Sequence, residues 1–212
     1  LVRNRKHPII RIGVVGTGRI AERFIPEAKY VSGVIIQGAF NPDQRHAEKF
    51  AIHHELEFFS SDYEDFLDKV DAVYIASPHE THYDYARRAL QRKKHVLCEK
   101  PMAFFKKEAE ELFRIANEQG CVLMEAIKTA YCPGFAQLIS IAKSGVIGKI
   151  RDVEACFTRL TPENLRERKD LEYGGSFTEF GSHTLLPIMK LMGLDYKEVR
   201  FDSVLDENGL DL

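Results

Sequence analysis

Ile9-Ile10-Arg11-Ile12-Gly13-Val14-Val15-Gly16-Thr17-Gly18-Arg19-Ile20-Ala21 decides how the rest of the chain is read. From Ile9 to Val15 the run is mostly β-branched and apolar, the signature of a strand buried in a parallel sheet. It breaks at two glycines and opens into a segment with helical pattern, Arg19 to about Tyr30. Gly16-x-Gly18-x-x-Ala21 is the Ala-ended dinucleotide fingerprint, set in the strand–turn–helix context that the fingerprint requires. Gly16 permits the tight turn, Gly18 lets main chain approach a pyrophosphate, and Ala21 lets the helix lie close to the sheet. The helix start offers unpaired N–H groups and a partial positive charge to the phosphates.

Working outward, strands and helices alternate. Val34–Phe40 reads as a second strand ending at Asn41-Pro42, followed by a polar helix to about Ile52. Leu56–Phe59, Ala72–Ala76, His95–Cys98 and Val122–Glu125 read as further strands. Helices are expected over Tyr63–Lys69, Thr81–Arg92 and Lys106–Gln119, the last closed by Gly120. This spacing predicts an α/β fold, a Rossmann-like doubly wound parallel sheet over residues 1–126. After Gly134 the pattern changes. An amphipathic helix, Phe135–Ser144, precedes a long apparent strand, Ile150–Leu160, a polar segment, a short helix His183–Met192 and a strand Glu198–Leu205. Residues 127–212 therefore read as part of an α+β domain on an open, mainly antiparallel sheet. Two or so strands are rarely stable alone, so the chain is expected to be truncated at its C-terminus. Its start at Leu1, without Met, suggests the same of the N-terminus.

Composition narrows the class. With 212 residues and a formal net charge of −2, the chain can bury a sizeable core and carries no field that draws nucleic acid. Arg3, Arg5 and Lys6 read as a solvated basic terminus. No apolar run approaches the roughly 18 residues of a membrane span, so no membrane partner is expected. The scattered cysteines Cys98, Cys121, Cys132 and Cys156 lack C-x-x-C spacing, which argues for reduced thiols in a cytoplasmic protein and against structural zinc.

By Glu99-Lys100-Pro101 the chain resembles the glucose–fructose oxidoreductase / inositol dehydrogenase / rhizopine catabolism (Gfo/Idh/MocA) family. Gly16-Thr17-Gly18-Arg19-Ile20-Ala21 matches the nucleotide loop, and Ser77-Pro78-His79-Glu80-Thr81-His82 is similar to the family's T-P-N-x-x-H. Lys94-His95-Val96-Leu97-Cys98-Glu99-Lys100-Pro101 resembles its K-H-V-x-x-E-K-P, and Glu179-Phe180-Gly181-Ser182-His183 its D-x-G-x-H. The resemblance implies NAD or NADP as cofactor and hydride transfer to or from a hydroxyl or keto carbon of a sugar, polyol or sugar derivative. It implies Lys100, Glu179 and His183 as the catalytic set, and a homo-oligomer formed through the C-terminal sheet. Gly16, Thr17, Gly18, Arg19, Ile20, Asn41, Ser77, Pro78, His82, Glu99 and Lys100 are the implied cofactor contacts. His183 suits general base work near neutral pH. Lys100 can polarise the oxygen as a cation or share the proton. Glu99 can keep Lys100 charged or bond the ribose.

The chain also departs from the family. Asn41 stands where an acidic residue commonly takes the adenosine ribose, which leaves NAD and NADP both open. Glu179 replaces the usual Asp, His79 the usual Asn, and Ala130 a frequent Arg, for which Lys128 is the nearby cation. These departures keep a second class in view, a cofactor-binding sensor or regulatory protein without turnover. Arg166, with Arg168 and Lys169, is a candidate contact for an anionic substrate group such as the phosphate of a sugar nucleotide. Arg87, Arg88, Arg92, Lys93 and Lys94 read as a solvated basic face. His79 and His82 are three positions apart rather than the four of a zincin helix, so no metal site is expected.

Overall fold

A computed structural model describes residues 9–211; the basic start at Arg3, Arg5 and Lys6 lies outside them. The chain forms two compact units, Leu1–Ala126 and Ile127–Leu212. In the first, strands β1 (Ile10–Val15), β2 (Val34–Phe40), β3 (Phe58–Ser60), β4 (Ala72–Ile75), β5 (His95–Cys98) and β6 (Leu123–Glu125) alternate with helices. These are α1 (Arg19–Ala28), α2 (Gln44–His54), α3 (Tyr63–Asp68), α4 (His82–Gln91, after a 3-10 turn His79–Thr81) and α5 (Lys106–Gln119). Among the described residues the strands make one sheet, all parallel, in the order β3-β2-β1-β4-β5-β6. The doubly wound expectation holds.

Alternation along the strands divides the core. Val14, Ala39 and Tyr74 face α1 and α2 and pack with Ala21, Ile25 and Phe50. Val15, Phe40, Val73 and Ile75 face the other way, onto Phe66, Leu67, Ala86, Leu90 and Leu112 of α3, α4 and α5. Successive strand residues point to opposite faces, and both faces are covered, so the central strand positions are apolar on both sides. Local sequence sets the helix ends. Asp43 accepts hydrogen bonds from the Arg45 and His46 N–H groups at the start of α2, Asp62 accepts one from Asp65 N–H ahead of α3, and Gly120 closes α5 at φ 65°. The basic cluster on α4 is not a plain solvated face. Arg88 pairs with Glu64, Arg92 with Glu64 and Asp68, and Lys94 donates to the Val70 carbonyl, joining α4 to α3 and its exit.

The second unit carries α6 (Lys128–Tyr131), α7 (Pro133–Lys143) and α8 (Ser176–Met192). The antiparallel sheet expected there is absent from the described residues: Ile150–Leu160 and Glu198–Leu205 form no ladder, and only an isolated bridge, Leu205 to Asp211, is made. A strand needs a neighbour for its N–H and C=O groups, and alternation without one is not enough. Phe157, Leu160, Val199 and Phe201 are accordingly exposed. Helix α8 starts earlier than the sequence indicates because Asp211 caps it from far along the chain, its main-chain and side-chain oxygens accepting from Ser176 N–H and Phe177 N–H.

Candidate active site

In the parallel sheet, connections lead away in opposite directions from β1 and β4, and such a switch point opens a crevice beyond the strands' C-terminal ends. Register brings the motifs to that edge. Val15 pairs with Phe40 and Ile75, Ile75 with Cys98, and Cys98 with Glu125. Gly16, Asn41, Ala76 and Glu99 therefore leave adjacent strands at one level.

The two fingerprint glycines have different duties. Gly16 is buried at φ +94°, and a Cβ there would lie 2.7 Å from the Ala76 carbonyl oxygen and 2.8 Å from the Ser77 nitrogen. Main chain from β1 and β4 meets at that point, so only glycine fits. Gly18 is exposed at φ −89° as the residue that caps α1, and a Cβ there would meet nothing within 4 Å. Its bareness has no packing reason; it suits a phosphate brought against the main chain at a helix start. Arg19 is exposed and Ile20 half-buried beside it, while Ala21 is fully buried under the sheet.

Asn41 is tied into this loop. Its side-chain amide donates to Thr17 Oγ1 at 2.7 Å, and its oxygen accepts from Asp43 N–H at 2.9 Å. It thus links the nucleotide loop to the β2–α2 turn. Glu99 accepts a 2.7 Å hydrogen bond from the Tyr74 hydroxyl, and Tyr74 stacks on Phe24 of α1 at 3.7 Å. Burial and the neighbouring Glu99 push the Tyr74 phenol far up, which keeps it a donor. Lys100 follows, half-buried, joined by a cis peptide bond to Pro101. Met102 N–H donates to Glu125 Oε1 at 2.9 Å, which fixes the far side of the lysine turn. Tyr74 and Glu125 were not found by sequence reading, because a pair 25 or 23 positions apart has no local signal.

Ser77 is half-buried and Pro78 exposed on the turn after β4, where Thr81 donates from its hydroxyl to this turn. His82, expected to contact a cofactor, braces two turns of this edge. Its ring is fully buried, with Nδ1 2.8 Å from the Pro101 carbonyl and Nε2 2.9 Å from the Ser77 carbonyl. Burial drives its pKa down to about 4, against the pull of the two carbonyls, so the neutral ring donates to one of them.

Glu179 and His183 both lie on α8 of the second unit, one turn apart and half-buried. Residues at this spacing share a helix face. His183 stacks on Phe157 at 5.1 Å, and Phe157 also stacks on Phe180. Glu179 lines a cavity of about 250 Å³ with Arg159, Arg168 and Phe180. Arg159 pairs with Glu167 at 3.3 Å and lies over the Phe180 ring. Arg166 does not line that cavity; its guanidinium bonds Asp170 one turn on, at 2.7 Å. Lys128 is exposed on α6. Of the basic residues singled out in this loop, Arg168 lines the cavity, and Arg159 joins it from a segment without a sequence motif.

Residues 10–127 match the family model described as an oxidoreductase family with an NAD-binding Rossmann fold. Over 96% of its length the chain is 30% identical to scyllo-inositol 2-dehydrogenase (NADP(+)) of Bacillus subtilis, and it spans 64% of that protein. It is 33% identical to dTDP-3,4-didehydro-2,6-dideoxy-alpha-D-glucose 3-reductase of Actinomadura kijaniata, covering 90% of this chain and 58% of that one. Among solved structures, a 3-ketoreductase from Actinomadura kijaniata in complex with TDP-benzene and NADP superposes with a TM-score of 0.77 at 31% identity, covering 89% of this chain and 57% of that one. The chain spans less than two thirds of the length of these relatives. Among the described residues, no helix is long and apolar enough to cross a membrane. With the nucleotide loop, the switch-point edge and the Glu99-Lys100-Pro101 turn on one sheet, the chain belongs to the Gfo/Idh/MocA oxidoreductase family, matching its NAD-binding Rossmann fold over residues 10–127.

Proposed function

We propose that this chain is the nucleotide-binding part, and some of the substrate-binding part, of an NAD(P)-dependent oxidoreductase acting on a CH–OH or keto carbon of a sugar, polyol or sugar derivative. The strand register carries the reading, because it sets Gly16, Asn41, Ser77 and Glu99-Lys100 along one edge of a doubly wound sheet. The relatives' substrates, an inositol and a nucleotide-linked sugar, support the carbohydrate class.

The cofactor, when bound, supplies the hydride acceptor or donor. Gly18 and the start of α1 hold its pyrophosphate, and Thr17 with Asn41 frames the adenosine side. Lys100 bears on the substrate oxygen, holding it as a cation or exchanging its proton. In the second unit His183 is the candidate for proton transfer and Glu179, one turn before it on α8, the candidate for orienting the substrate. Lys128, Arg166 or Arg159 is the candidate cation for a charged substrate group, the two arginines each already paired with a carboxylate. Residues 1–126 act as the cofactor domain and 127–212 as a portion of the substrate and oligomerisation domain.

Lys100→Ala is the test. Turnover on an inositol and nucleotide-sugar panel, followed by cofactor absorbance, should fall about 10²–10⁴-fold, as expected when a group that moves or stabilises a proton is lost. Cofactor affinity should stay within a few-fold of wild type. Undiminished turnover in the variant sinks the assignment of Lys100. Cofactor binding without turnover by the wild type on any substrate favours a sensor.

A further inference from the structure

Between α1 and α2, Glu22, His53 and His54 bring three metal-ligating side chains together. Glu22 lies in the first turn of α1, and the two histidines end α2. Their donor atoms all fall within 4.8 Å of one another. His54 Nε2 is 2.6 Å from Glu22 Oε2, and His53 Nε2 is 3.9 Å from the same oxygen. The two imidazoles meet edge to face with centroids 4.7 Å apart. We propose that Glu22, His53 and His54 form a binding site for a divalent transition ion that clips α1 to α2.

Donor atoms about 2.1 Å from one ion at tetrahedral angles lie about 3.4 Å apart. The two observed spacings fall on either side of that value, so a small turn of the carboxylate brings both imidazoles into range. Adjacent helical residues normally diverge. Here the Glu22 carboxylate rises between them from the neighbouring helix and gives the pair a common target. His54 is preset: its side chain is only 9% exposed and its ring packs on Phe50 at 4.5 Å. The exposed edge is left to His53, at 69%, and Glu22, at 42%, which leaves the ion a path in and room for water as a fourth ligand. The last carbonyls of α2 add the partial negative charge of a helix C-terminus, which favours a cation there. Two imidazoles and a carboxylate suit Zn²⁺, Ni²⁺ or Cu²⁺ rather than Ca²⁺ or Mg²⁺.

The experiment is a Zn²⁺ titration of the whole chain after chelator treatment, by calorimetry and by thermal melting, on wild type, Glu22→Gln and His53→Ala. Both replaced side chains are exposed, so the fold is retained. Wild type should bind one Zn²⁺ here and melt at a higher temperature, since a ligand that binds only the folded state stabilises it. Each variant should lose about 10–100-fold in affinity and most of the melting shift. Co²⁺ in place of Zn²⁺ should give a spectrum without a thiolate charge-transfer band, separating this site from Cys121, Cys132 and Cys156. The absence of Zn²⁺ stabilisation in wild type overturns the proposal. So does binding that both variants retain, a loss confined to one variant, or a thiolate band.

Discussion

At the residue scale, the fingerprint separates into a glycine for folding and a glycine for a ligand. Gly16→Ala places a methyl group 2.7 Å from the Ala76 oxygen on a backbone at φ +94°. That substitution should destabilise by about 2 kcal/mol or more, through strain at positive φ combined with overpacking, and denaturant melts will read it. Gly18→Ala meets no neighbour. Its melting should change little, while nucleotide affinity falls by about tenfold, roughly 1.4 kcal/mol. Equal behaviour of the two variants would remove the distinction. Both glycines were legible in the sequence because spacing and setting identify them. Asn41 was legible as a position but not in its bonding, since its bond to Thr17 joins segments 24 positions apart.

At the element scale, His82 joins the turn after β4 to the turn after β5, gripping Ser77 on one side and Pro101 on the other. His82→Leu should cost about 1–3 kcal/mol by leaving the main-chain carbonyl that the ring N–H meets without its donor. The pH dependence has a defined sign. In the unfolded chain His82 titrates near 6.5, while in the fold burial holds it down to about 4. Below pH 6.5 the unfolded state therefore binds a proton that the folded state refuses. The stability it confers is full above 6.5 and falls away as pH drops toward 4, by up to about 3 kcal/mol. Urea melts across that interval should show this loss in wild type and a flatter profile in His82→Leu. The same scale explains which elements could be read ahead. In the first unit every strand but the last, β6, is followed by its own crossover helix, so local periodicity and pairing agree. Ile150–Leu160 has the alternation without a partner and forms no strand. The start of α8 went unread because its cap, Asp211, is 34 positions away from Phe177.

For the whole molecule, the cofactor question is decided by binding rather than by any one residue. Added separately to the whole chain, the accepted form of NADH or NADPH should raise the melting temperature by about 5–10 °C at a hundredfold excess over Kd. Asn41 places no full negative charge against a 2′-phosphate, so NADPH should be accepted. A shift with neither cofactor would reject the nucleotide-binding reading of the first unit.

The sequence by itself determined the parallel α/β architecture, the nucleotide loop, the Glu99-Lys100-Pro101 turn and the family. Each of these is written in short-range spacing: short apolar runs alternating with helical segments, glycines at a β–α turn, a lysine between a buried strand and a proline. Only the tertiary structure decided what those residues touch. It set His82 between the Ser77 and Pro101 carbonyls, tied Asn41 to Thr17, gave Glu99 the Tyr74 hydroxyl, and put Arg159 and Arg168 in one cavity lining with Glu179. It also brought Glu22 to His53 and His54. Hydrogen bonds and ion pairs form between groups that are near in space, and which segments become neighbours is settled by the register and packing of the sheet rather than by any local pattern.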